Sequence, residues 1–269
     1  MAIENFKPTI WRARLLENLR KNHVFAQVAN DEYSGDISAA GDTVKIGGIG
    51  SVSVNDYDGA ISYEELEDAS TKLTVDQEKY FAFKVDDVDA AQSNANEMDE
   101  AMDEASHGLD DEADQYLAGL RTDAGVIVDS SDVTNDPFDA DECYETFAVI
   151  KRKLMENDVP GNMPLWCVVN PKVWEKILVD EIDTSTDNIS AMGEGAITAT
   201  MGFDLYVSNN LAANRNMAGT YRAIGFAEQI IETEALRLED YFADAVRGLY
   251  VYGGKVIRND ELVDIEDNQ

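Results

Sequence analysis

Histidine and cysteine are nearly missing from this chain, with two of each in 269 residues. His23 and His107 leave little from which to build the bases that nucleophilic catalysis needs. Transition-metal sites want three or four matched ligands, which two histidines and two cysteines scarcely supply. Cys143 and Cys167 show neither CxxC spacing nor a histidine close in sequence. Both fall in apolar-patterned segments and are expected as buried free thiols. Also missing are G-x-S-x-G, a P-loop, H-E-x-x-H and G-x-G-x-x-G. No apolar run approaches the ~20 residues of a membrane-spanning helix. The opening "MAIENFKPTIW" lacks the basic-then-apolar layout of a signal peptide. These absences predict a soluble, cytosolic product with no membrane partner, no cofactor and no metal.

Positive charge is the other scarcity. There are 21 basic against 54 acidic residues, a formal net charge of -33. Such a chain is a poor general nucleic-acid binder, because it has few cations with which to displace counterions. Like charge at this density opposes a compact state in dilute buffer, whereas at about 1 M salt the Debye length falls to roughly 3 Å. The acidic balance therefore points to a high-salt cytoplasm. Hydrophobic residues at 44% and aromatics at 9% mark a folded protein despite the charge.

The clearest pattern lies in "MDEASHGLDDEADQYLAGL", residues 102–120. Met98, Met102, Ala105, Leu109, Ala113, Tyr116, Leu117 and Leu120 recur in steps of mostly three or four, a helical stripe beginning near Ala95 and running about seven turns. Asp103, His107 and Asp111 are four apart and share another face. They suit either a weak metal site in an acidic hydrolase or the wet side of an acidic helix. Two residues separate His107 from Ala105, roughly 200° around the wheel. The carboxylates and His107 are accordingly expected in solvent.

Upstream, residues 9–28 read as an amphipathic helix with Trp11, Leu15, Leu19 and Val28 on one stripe. Arg12, Arg14, Arg20 and Lys21 form the densest basic cluster, which composition alone reads as a solvated face. From Thr43 the period changes to two. Val44, Ile46, Val52, Val54, Tyr57, Leu73 and Val75 alternate with polar residues through a glycine-rich excursion. Such a ribbon has little core of its own and needs a surface to lie on, for instance a neighbouring subunit.

"DSSDVTNDPFDADE" reads as a linker. A helix to about Asn157 follows, carrying Cys143, Phe147, Ile150 and Leu154. "LWCVV" reads as a buried strand, and "NPKVWEKIL" as a helix capped by Asn170 with Pro171 first. "DTSTDNISAMGEGA" is a polar loop, "GFDLYVSNNL" and "TYRAIGF" read as strands, and two or three more follow with a turn at Gly253–Gly254. The fold class is α+β.

The ordered set of segments resembles a known family. "W-x-x-x-L-L-x-N-L" is followed by "NDEY", "GDTVKI", "KYFAFKVDDVDAAQ", the long helix, "WCVVNPKVWEKIL", "MGFDLYVSNNL" and "FADAVRGLYVYGGKV". Together they resemble the major capsid proteins of tailed double-stranded DNA viruses, with the Hong Kong 97-like fold. The resemblance implies an N-arm at 1–40 and an E-loop ribbon at 41–84. It places the peripheral domain, with its spine helix, at 85–130 and 226–269, and the axial domain at 131–225. It implies a non-enzymatic shell protein forming pentamers and hexamers around double-stranded DNA, held by non-specific contact, in a virion assembled in the host cytoplasm. A portal protein, and scaffolding and decoration proteins, are the further partners it implies. Since the chain starts without a long N-terminal extension, any scaffolding protein is expected to be separate. Val44, Ile46, Val52, Val54, Tyr57, Leu73 and Val75 become expected inter-subunit contacts. Arg12, Arg14, Arg20 and Lys21 become candidates to face the genome or an acidic neighbour. With the charge, the resemblance points to a virus of a halophilic archaeon. An encapsulin-type nanocompartment shell, which has the same fold and an enzyme cargo, is the alternative.

Overall fold

The computed structural model describes residues 24–32, 41–46, 70–86, 97–134, 136–139, 143–184, 199–200, 202–238 and 243–267. Four α-helices appear among them: α1 (Phe25–Val28), α2 (Glu97–Gly119), α3 (Cys143–Glu156) and α4 (Pro171–Thr184). The strands are β1 (Thr43–Ile46), β2 (Thr71–Thr74), β3 (Gln77–Asp86), β4 (Val126–Val128), β5 (Leu165–Val169), β6 (Ala199–Thr200), β7 (Phe203–Val207), β8 (Arg215–Thr220), β9 (Ile224–Arg237), β10 (Ala243–Val256) and β11 (Leu262–Glu266). None of the described helices is long and apolar enough to cross a membrane.

Three sheets result, in the orders β1-β2, β3-β10-β9 and β4-β11-β8-β5-β7-β6. Alternation in "TVKI", "TKLT" and "QEKYFAFKVD" does produce strands. In the six-stranded sheet β5 runs parallel to β7, a pairing that requires a crossover, and α4 supplies it. Asn170 opens α4 as expected, its side-chain oxygen accepting the N–H groups of Lys172 and Val173 at 3.0 and 3.1 Å. All five residues of β5 are buried because the strand is covered on both faces. Leu165, Cys167 and Val169 join the α3/α4 core with Phe147, Ile150 and Ile177. Trp166 and Val168 join the second core, with Leu117 of α2 and Tyr250 and Tyr252 of β10.

Several local expectations are corrected. "TYRAIGF" is no single strand, because β8 ends at Thr220 and β9 starts at Ile224, with the Ala223 N–H bonded back to the Thr220 carbonyl at 3.0 Å. Gly253–Gly254 is not a turn but lies inside β10. A Cβ on Gly253 would stand 2.7 Å from Val75 Cα, so glycine there admits the chain between β2 and β3. The 129–142 linker is not merely solvated: Phe138 is fully buried at φ 58°, edge-on to Phe147 at 5.4 Å. A non-glycine residue held in the left-handed region needs surroundings that fix it, and the aromatic core provides them. Leu120 lies past the end of α2 in a 3-10 turn.

The long stripe on α2 packs largely as read. Met102, Leu109, Ala113 and Leu117 are buried, with Ala105, Tyr116 and Leu120 half-buried beside them. Met98 is helical in backbone, its side chain lying outside the described residues. The expectation that the helix's carboxylates all face solvent is overturned. Asp110 and Asp114 are 4% and 3% exposed, and Ser106 is buried beside them. Seven residues separate Asp110 from Leu117 and Ser106 from Ala113, so each polar residue points in nearly the same direction as an apolar one.

β11 lies in a different sheet from the two strands that precede it. It joins the six-stranded sheet between β4 and β8, while β9 and β10 form the other sheet with β3. The chain changes sheets across 257–261, where the Gly125 N–H donates to the Asn259 carbonyl at 2.8 Å. There is room there only for a glycine, since a Cβ on Gly125 would meet that carbonyl carbon at 2.9 Å.

Candidate functional site

Residues 1–23, with Arg12, Arg14, Arg20 and Lys21, lie outside the described residues, as do Val52, Val54 and Tyr57. The other four ribbon positions are Val44, Ile46, Leu73 and Val75. They were expected to touch a neighbour, but they are at most 8% exposed and pack on Ala227 and Val251 of the same chain. Alternation had marked their apolar face, and in the structure the outer face of the β3-β10-β9 sheet covers it. The opposite face of β1-β2 is the outward one, with Thr43, Lys45, Lys72 and Thr74 exposed.

Asp103, His107 and Asp111 do not converge. His107 and Asp111 are exposed and Asp103 is half-buried. Asp111 accepts the Asn210 side-chain amide at 3.2 Å. Among the described residues no group of three or more His, Cys, Asp or Glu side chains is placed to hold a metal ion.

The polar residues that matter on α2 are the ones sequence reasoning placed in solvent. Asp114 spreads its carboxylate over the start of α1, accepting the Val24 N–H at 2.9 Å and the Phe25 N–H at 3.1 Å. A carboxylate at the N-terminal end of a helix satisfies donors the helix cannot. This one reaches across 89 and 90 residues of sequence, tying the N-terminal segment to the long helix. Under Asp110, the Tyr250 hydroxyl donates to Glu228 at 2.6 Å. Burial and then the adjoining Glu228 and Asp110 carboxylates push the Tyr250 phenol well up. Burial likewise raises Tyr252, to about 12. The seven-residue offset from Leu117 was the available signal for Asp110. For Asp114 there was none, because its partner arrives from elsewhere in the chain.

A second set of carboxylates ties down β11. Asp264 accepts from Arg121 at 3.2 Å and Arg215 at 3.1 Å, and Arg215 also reaches Glu266 at 2.9 Å. Burial nonetheless outweighs both guanidinium groups and moves the Asp264 carboxyl up. Glu261 takes Arg222 at 2.9 Å, Arg258 at 3.1 Å and the Thr220 hydroxyl. Nothing in these clusters forms a nucleophile–base pair or an enclosed cleft. They hold segments together.

Apolar surface is left open at Tyr80, Ile127 and Met155, which are 79%, 54% and 54% exposed. Tyr80, Ala82 and Leu249 line one shallow depression on the three-stranded sheet, bordered by the Arg247–Glu234 ion pair at 2.6 Å. The fold thus presents a two-sheet body, a ribbon base pinned to it and exposed side chains suited to contacts rather than to chemistry. A family model described as phage capsid protein matches residues 70–264, which spans both sheets and α2 to α4.

The chain belongs to the phage capsid protein family.

Solved structures agree with this membership. The chain is similar to one from Mycobacterium phage Che8, at 28% identity over 98% of this chain and 93% of that one, with a TM-score of 0.73. The capsid of cyanophage P-SCSP1u shares the fold at 14% identity, covering 99% and 90% of the two chains with a TM-score of 0.67. So does a virus-like particle from Pyrococcus furiosus, at 13% identity, 96% and 99% coverage and a TM-score of 0.59. No curated protein matches the chain. The capsid protein's role is structural, and it acts by assembling into multimeric shells. The mixed α+β architecture is the Hong Kong 97-like fold of these neighbours.

Proposed function

We propose that this capsid protein forms the pentamers and hexamers of an icosahedral head around double-stranded DNA. The family match over residues 70–264 carries the proposal. Within the head, the stretch 47–69 beyond the ribbon base, including Val52, Val54 and Tyr57, reaches an adjacent subunit as the E-loop. Arg12, Arg14, Arg20 and Lys21 in the N-arm supply the scarce positive charge toward the genome or an acidic neighbour, while the acidic remainder keeps DNA from sticking. A portal protein, with any scaffolding and decoration proteins, completes the head during assembly in the host cytoplasm. β9, β10 and α2 make up the peripheral body; β11 travels with the axial sheet.

Electron microscopy of purified protein and of virions tests this. Closed icosahedral particles, DNA-filled and bearing a portal, are expected. Empty shells carrying an enzyme cargo would instead establish a nanocompartment, and a dispersed monomer under all salt conditions would sink both readings.

The -33 charge supports a halophilic archaeal host. Screening that much like charge requires salt well above about 0.1 M. The unfolding midpoint should therefore rise steeply between about 0.1 and 3 M salt. A flat profile would remove the halophilic origin without touching the capsid role.

A further inference from the structure

β1 and β2 pair antiparallel with Lys45 directly opposite Lys72 and Thr43 opposite Thr74. Val44, Ile46 and Leu73 turn inward, so both lysines stand on the exposed face. Like charges directly opposite one another on one face of a sheet repel, and a strand pair gains nothing from them. Relief was readily available in a chain of 54 carboxylates against 21 cations, yet no carboxylate occupies this face of the two strands. Neither ammonium has an ion-pair partner among the described residues. Among the described residues the doublet is thus an uncompensated positive spot at the base of the ribbon, on a chain with a net charge of -33.

We propose that Lys45 and Lys72 form a docking point for carboxylates of a second copy of this chain. The inference rests on the shell-forming reading above. Charge complementarity selects the occupant. Two copies each carrying -33 repel almost everywhere, and contact is favoured where a local positive patch meets the partner's acidic surface. A carboxylate placed between two ammonium groups also removes the cross-strand repulsion, so assembly relieves what the isolated subunit bears.

This predicts opposite effects on subunit and shell. In K45Q/K72Q the urea midpoint of the unassembled subunit should equal or exceed that of the unsubstituted protein. Particle yield at equal protein concentration should fall about tenfold, and further in K45E/K72E, the direction that loss of cross-interface charge pairs imposes. In particles assembled from mixed isotope-labelled and unlabelled subunits, a carbodiimide should join Lys45 or Lys72 peptides to Asp or Glu peptides of the other isotope. If both variants assemble like the unsubstituted protein, or the lysines link only within their own chain, this docking point is overturned and the shell reading stands. If the unsubstituted protein forms no particles, both fall together.

Discussion

α3 packs on one face of the six-stranded sheet, whereas α2 lies along β3 and β10 and shares its core with Trp166 and Val168 from the other face. The two helices do so with different chemistry. The buried side of α3 is Cys143, Phe147, Ile150 and Leu154 with one hydroxyl, Thr146, which accepts the Phe138 N–H at 2.9 Å. The buried side of α2 alternates Met102, Leu109, Ala113 and Leu117 with Ser106, Asp110 and Asp114. An apolar stripe needs only a surface to lie on, and shape decides how well it packs. A buried carboxylate needs particular donors in particular places, or its desolvation is not offset. α3 is therefore a packing element, whereas α2 also fastens a remote segment, α1, through Asp114, and sets Asp110 near the Glu228–Tyr250 bond that joins β9 to β10.

The largest effect is expected on the apolar side. Phe147→Ala deletes a ring packed on Phe138 and Phe203 and should cost about 3–5 kcal/mol. A urea midpoint shift of that size, with loss of the whole six-stranded sheet, is the expected readout. A loss under about 1 kcal/mol would mean that α3 is not the packing element described.

On the other face, Asp114→Ala should cost about 1–2 kcal/mol, the range for a lost helix-terminal acceptor. Its signature is local. Hydrogen exchange should accelerate at Val24 and Phe25 while the amides of β5 keep their protection. Uniform acceleration would show that Asp114 is merely one more core residue, and the contrast between the helices would fail.

Alkaline pH provides a graded test. Tyr250 and Tyr252 face α2 with phenols pushed above the ordinary value of 10.0, Tyr252 to about 12. An unfolded tyrosine ionises near 10, so the folded state holds these protons more tightly. Their contribution is fully present below about pH 10 and is lost as pH rises through about 12. The urea midpoint should decline over that window, and Tyr252→Phe should flatten part of the decline. A midpoint level to pH 12 would remove the polar character assigned to the α2 interface.

The smallest effect belongs to His107→Ala. The side chain is exposed, so stability should change by less than about 0.5 kcal/mol and particles should assemble as before. Loss of assembly would give this face of α2 a role that its exposure does not.

Periodicity made most of the architecture legible. Steps of three and four in 143–154 and 98–120, and steps of two in "TVKI" and "TKLT", specify helices and strands because side-chain direction follows backbone geometry alone. Asn170 and Pro171 marked the start of α4 for the same local reason. Punctuation was less dependable. The glycine pair at 253–254 resembles a turn, yet its purpose is to let β10 pass Val75, a contact between segments nearly 180 residues apart. Val44, Ile46, Leu73 and Val75 were recognisable as an apolar face, but not as one that their own chain would cover.

By itself, then, the sequence determined which stretches are helix or strand, which faces are apolar and how large the electrostatic burden is. These are properties of neighbouring residues and of composition. Only the tertiary structure decided that Asp110 and Asp114 go inside, that β11 crosses to the six-stranded sheet, and that Lys45 stands opposite Lys72. Each depends on which distant segment arrives alongside, and burial, register and charge pairing are properties of that encounter rather than of either segment.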